Sequence, residues 1–207
     1  VYVPALQKSG EKSFGTDVWT KNTPELVIDQ RYWIEDVVMM PAVEKLRKEN
    51  RQRGDSLYRL NSYHNDHGRG MDLYKVGATL GCGTPALMVD GKLQYPYCFK
   101  DCEILDNGPM RTTVHLTYHP AKIGTDTAVV EHRYIQLDKG SNFNRVMVLY
   151  EGLTTGVELA TGVVIHSEDK ESIELEKDYV LYADPTDNPR VNNCQLFVGT
   201  LYPDGVS

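Results

Sequence analysis

The chain has 207 residues, 41% of them hydrophobic and 25% charged, the composition of an ordinary globular protein long enough to bury a substantial core. A formal net charge of -7 argues against a nucleic-acid surface, which needs a basic face to neutralise phosphates. No apolar run approaches the ~20 residues that span a bilayer, so the chain does not read as an integral membrane protein.

The sequence opens VYVPAL, with neither an initiator methionine nor a signal sequence, and closes LFVGTLYPDGVS, a turn signal without a returning strand. Both ends read as cut inside structure, so a piece of a longer protein is expected. Residues 1–207 are expected to form one domain with a helical insertion at about 24–53. There Thr23-Pro24-Glu25 supplies an N-cap, a proline at the first helical position and an acidic first turn. Pro41 predicts a break, followed by a second helix from Ala42 to about Arg51, with Gly54-Asp55-Ser56 ending it. The basic run Lys45–Arg53 contains Glu49 and reads as the solvated end of that helix.

Next comes SYHNDHGRGMDLYKVG, Ser62 to Gly77, with two histidines, two aspartates, an arginine and a lysine among glycines. The glycines permit tight loops that bring His64, Asp66, His67 and Arg69 together. Histidine and aspartate make a general base with an orienting partner. Arg69 and Lys75 could hold a carboxylate, with Asp66 and Asp72 orienting histidines or sugar hydroxyls. The same groups could satisfy the loop backbone and one another. They could also ligate a metal through His64, Asp66, His67 and Asp72, although adjacent loop positions rarely supply a full ligand set. GATLGCGTP, Gly77 to Pro85, lacks the lysine and the following helix of a phosphate loop and reads as a backbone turn near the site. The cysteines (Cys82, Cys98, Cys102, Cys194) match no zinc or redox spacing and are expected as buried thiols.

After Gly108 the hydrophobic pattern changes to period two, the mark of half-buried strands. MRTTVHLTY, AVVEHRYIQL, NRVMVLYE, LATGVVIH, SIELE, DYVLYA and CQLFVGTLY follow one another with turn signals between them. Successive strands without intervening helices predict a mainly β fold, an antiparallel β-sandwich. RVMVLY, apolar on both faces, is expected between two sheets, and MRTTVHLTY is expected to present one wet face. His132 and Tyr134, two apart on a strand, project to one face with Val130, as a paired base and acid on a sheet floor would. His115, sharing a face with Arg111, reads as solvent-facing, and His166 as a group at a groove rim or in water. Thirteen tyrosines against four phenylalanines suit a surface that meets sugar rings and hydroxyls together.

The stretches YHNDHGRGMDLYKVGATLGCGTPAL, DGKLQYPYCFKDCEILDNGPMRTTV and VEHRYIQLDKGSNFNRV give the chain a resemblance to the DUF4861 family across nearly its whole length. That resemblance implies a secreted or periplasmic protein of a kind found chiefly in Bacteroides-type gut bacteria. The resemblance implies the β-supersandwich shared by galactose mutarotases and several polysaccharide lyases, and occurrence beside pectin- and uronate-degrading enzymes. No catalytic signature of those enzymes maps onto this chain. The expected function is action on an acidic, uronate-containing plant glycan, by lyase-type β-elimination or a related step. The alternatives are a non-catalytic glycan-binding module and a mutarotase-type epimerase. The expected catalytic candidates are His64, His67, His132 and Tyr134. Asp66, Arg69, Asp72, Lys75 and His166 are expected to bind substrate, with no cofactor. That reading needs the 64–75 loop and the 132–134 strand to share one cleft.

Overall fold

The computed structural model describes residues 15–95, 98–167, 169–185 and 195–202. These fall into two compact units, one built on Val76–Val164 with Thr16 and Gly199–Tyr202, the other on Asp17–Lys75 and Ile165–Val198.

The first unit is an antiparallel sandwich. One sheet has the order β2-β1-β8, from β1 (Ala86–Val89), β2 (Lys92–Gln94) and β8 (Glu158–Ala160). The other has the order β3-β4-β6-β5, with β7 also paired to β6. Its strands are β3 (Phe99–Asn107), β4 (Arg111–Tyr118), β5 (Ala121–Ile123), β6 (Asp126–Asp138) and β7 (Arg145–Glu151). Leu87 from one sheet meets Ile123 and Val129 from the other, with Val89, Tyr150, Leu153 and Val157 packed around them.

The alternation of β6 decides its two faces. Val129, Glu131 and Arg133 are buried, while Val130, His132, Tyr134 and Gln136 lie on the opposite side. The charges on the inner face are paired. Arg133 meets Glu131 at 2.5 Å, and its guanidinium sits 4.9 Å from the ring centre of Tyr118. Burial raises the Glu131 carboxyl against the pull of that guanidinium, and pushes the Tyr118 phenol up to about 12.

Two strand expectations are corrected. β7 was expected between sheets, yet Val146, Met147 and Leu149 are exposed and its one strand partner among the described residues is β6. A doubly apolar run of this length does not distinguish a sandwiched strand from an outer one. LATGVVIH pairs as a strand only over Glu158–Ala160, and Val163 beyond it makes an isolated bridge to Cys82. Cys98 is buried as expected, whereas Cys102 is exposed on β3; Cys194 lies outside the described residues.

The second unit carries the helices. α1 (Ile28–Tyr32) runs into a π-helical stretch, Trp33–Met39, and on into α2 (Met40–Glu49). Pro41 does not break this run. It lies in the first turn of α2, so the bond that its missing N–H cannot make falls at a junction of two bonding patterns. The break comes at Asn50, whose extended backbone (φ −155°, ψ 103°) and side chain cap α3 (Arg51–Asn61) through the Arg53 N–H at 3.1 Å. Gly54 is therefore internal to α3. It is buried where a Cβ would stand 2.5 Å from Cγ of Arg47, so a glycine is needed for α2 and α3 to approach. β9 (Ile173–Leu175), β10 (Tyr179–Asp184) and β11 (Leu196–Leu201) form a small sheet of order β11-β10-β9. Among the described residues no helix is long and apolar enough to cross a membrane.

Candidate functional site

The glycine-rich loop belongs to the second unit, where most of its polar groups are committed to holding it in shape. Thr20 and Met71 exchange backbone hydrogen bonds, and Asp72 N–H donates to the Tyr63 carbonyl. Gly70, at φ +94°, lets the chain pass against Thr20, since a Cβ there would stand 2.0 Å from the Thr20 carbonyl oxygen. Asp66 accepts from the N–H groups of Gly68 and Gly70 at 2.7 and 3.3 Å. His67 Nε2 donates to the Ser62 carbonyl at 2.9 Å, fixing its tautomer, because a carbonyl only accepts. Arg69 reaches Glu25 at 3.3 Å and Gln30 at 3.5 Å. His166 is held at both ring nitrogens, by buried Asp184 at 2.5 Å and by the Lys75 carbonyl at 2.7 Å. His64 is the loop histidine that keeps an outward ring. Its Nδ1 is 3.4 Å from Asp72, its side chain is 46% exposed, and it packs on Tyr63 within a cluster with Trp19 and Tyr32. A shallow depression of about 550 Å³ opens beside Asp66 and His67, lined also by Ser56, Arg59, Leu60 and Asn65.

The sheet face of the first unit is built differently. Register places His115 of β4 opposite Tyr134 of β6, and Met147 of β7 beyond it. The His115 and Tyr134 rings lie parallel at 4.3 Å between centres. His132, one pair further along β6, brings its Nδ1 to 3.1 Å from His115 Nε2, a contact in which either ring can be the donor. The row continues at both ends, with Glu151 of β7 3.4 Å from His132 Nε2 and Glu103 of β3 3.8 Å from His115 Nδ1. Four strands thus contribute Glu103, His115, His132 and Glu151 in a line, with the phenol of Tyr134 stacked on its middle. The imidazoles are largely covered, at 17% and 24% side-chain exposure, whereas both carboxylates are mostly in the open.

Counting hydrogens shows what this line can do. Ionised carboxylates only accept, so each of the three junctions calls for one N–H, and two neutral imidazoles supply two. One further proton completes all three. The contacts to the exposed carboxylates are long for hydrogen bonds, so either end opens by a side-chain rotation. Along the face, Arg111 is closed on Asp138 by two hydrogen bonds of 2.6 and 3.0 Å, which hold the Asp138 carboxyl below the usual carboxylate range. Among the described residues no three histidine, cysteine, aspartate or glutamate side chains converge where a metal ion could sit.

Of the residues singled out from sequence, the structure brings His132 and Tyr134 onto one face, and brings His64 to Asp72. The two groups fall in separate units. The sequence did not reveal the contacts of His115, read as solvent-facing, with His132 and Tyr134, or the places of Glu103 and Glu151 beside the two rings. The parity of His115 along β4 was legible, but which residue it would oppose depends on strand pairing and register.

No solved structure matches the chain. Uncharacterized protein P7 of Formosa agariphila is 28% identical over 189 residues, covering 87% of this chain and 42% of that protein, so the chain spans less than half of its relative's length. The family model described as a domain of unknown function, DUF4861, matches residues 1–207, and the chain belongs to that family.

Proposed function

We propose that this chain is part of a carbohydrate-active enzyme that cleaves an acidic, uronate-containing glycan by β-elimination, using the sheet face of the first unit. The observation that carries this reading is the covered His115–His132 pair with Tyr134 stacked on it, between carboxylates that can swing aside. His132, in the tautomer that donates Nδ1–H to His115 Nε2, turns its free Nε2 away from Glu151 and takes there the proton α to the uronate carboxylate. The electrons of that C–H bond form the ring double bond, the bond to the glycosidic oxygen breaks, and the leaving oxygen receives the Tyr134 proton. His115 supports the resulting His132 imidazolium by accepting the Nδ1–H at its Nε2; the imidazolium then gives its proton to solvent, and the phenolate is reprotonated from solvent. Such a substrate fits a periplasmic or secreted location.

The test is incubation of the full-length protein with a panel of uronate oligosaccharides, following the ultraviolet absorbance of the unsaturated product. Absorbance should rise with wild-type protein and fall by about 10²-fold or more with His132→Ala. A flat trace with every uronate sugar removes the lyase reading.

A second reading is a non-catalytic glycan-binding module. The Trp19–Tyr63–Tyr32 cluster favours it, because stacked rings with polar edges suit sugar faces. Saturable glycan binding without any product would select it.

A further inference from the structure

We infer that Arg145 is the residue that selects an acidic sugar over its neutral counterpart on this sheet face, by holding the substrate carboxylate. The inference rests on the reading of the face given above and adds to it the source of positive charge.

Arg145 opens β7 and pairs with Gln136, while Met147, two residues on, pairs with Tyr134. Arg145 and Tyr134 are therefore diagonal neighbours on the same face, a separation of roughly 7–8 Å that a long side chain spans. Arg145 is exposed and, among the described residues, has no ion-pair partner. Arg111, also on this face, is bound on two nitrogens by Asp138 and has no comparable freedom. The charge along β7 is polarised, since Arg145 begins the strand and Glu151 ends it about 20 Å away, at ~3.3 Å per residue. Between them Met147 and Leu149 present exposed apolar side chains on the same side. A sugar ring lying along this lane has one cationic end available for its carboxylate, and the opposite end repels it. A planar guanidinium takes a carboxylate through two parallel hydrogen bonds. Held there, the carboxylate gains acceptance of the negative charge that develops when the adjacent carbon loses its proton.

The experiment measures binding of a galacturonate oligomer and of its methyl ester by titration calorimetry, with full-length wild-type, Arg145→Gln and Arg145→Lys proteins. Wild type should prefer the acid. Arg145→Gln should lose about tenfold or more of the acid's affinity while leaving the ester's within about twofold, and Arg145→Lys should recover part of the loss. An Arg145→Gln protein that keeps the preference for acid over ester, or that loses both sugars equally, overturns the role of Arg145 alone. Wild-type protein that binds neither sugar overturns the reading of the face together with it.

Discussion

The 62–77 loop and the β4–β6–β7 face both gather histidines and carboxylates, but they use them in opposite ways. In the loop, Asp66 and His67 find partners a few residues away in the backbone and Arg69 finds Glu25 and Gln30 at the entry to α1, so the charge density that marks the sequence goes largely into keeping a glycine-rich turn folded. On the sheet the polar groups are far apart in sequence, and their principal partners are one another. His115 and His132 are seventeen positions apart and meet at 3.1 Å. Polar density in a short segment indicates what the backbone of that segment needs. Polar groups brought together by register indicate what the face can do.

The largest expected effect separates the two regions directly. Tyr134→Phe removes the proton donor while keeping the ring that stacks on His115, and should lower elimination by about 10²-fold or more with little change in stability. His64→Ala should leave turnover within about threefold, a change under ~1 kcal/mol in the barrier. If the two variants exchange these behaviours, the reacting groups are those of the loop. Next in size is Gly70→Ala, where both a positive φ and a carbonyl oxygen 2.0 Å from the new Cβ oppose the substitution. Chemical denaturation should show a loss of about 1–3 kcal/mol or more in the second unit. His67→Ala, which removes one hydrogen bond to the Ser62 carbonyl, should cost about 1 kcal/mol on the same measurement and leave turnover unchanged.

The smallest effect is a pH dependence in the first unit. Asp126 accepts from Thr154 and Thr155 through their N–H groups and the Thr154 hydroxyl, which holds its carboxyl well below the usual carboxylate range. A depressed folded value contributes stability above the ordinary aspartate range and loses it as pH falls toward that value. Hydrogen exchange at the Thr154 and Thr155 amides, corrected for intrinsic rates, should stay protected at neutral pH and open under strong acid. In Asp126→Asn the acid dependence should be absent.

How much of this was readable beforehand differs by element. The alternation in AVVEHRYIQL placed His132 and Tyr134 together and Glu131 and Arg133 on the other face, because period two is a property of the strand alone. The Asn50 break was not legible, since the signals at Pro41 and Gly54 were the stronger ones locally. Gly54 answers to Arg47 across the helix pair rather than to its own helix. The outer position of β7 and the pairing of His115 with Tyr134 depend on which strands are neighbours, which no single strand's pattern records.

On the proposed function, His115 and His132 act as one proton-handling unit. A kinetic double-mutant cycle on uronate elimination, with His115→Ala, His132→Ala and the double variant, tests it most directly. Either single change should lose nearly as much activity as both together, because each ring depends on the other's nitrogen. Losses that simply multiply would show two independent side chains and contradict it.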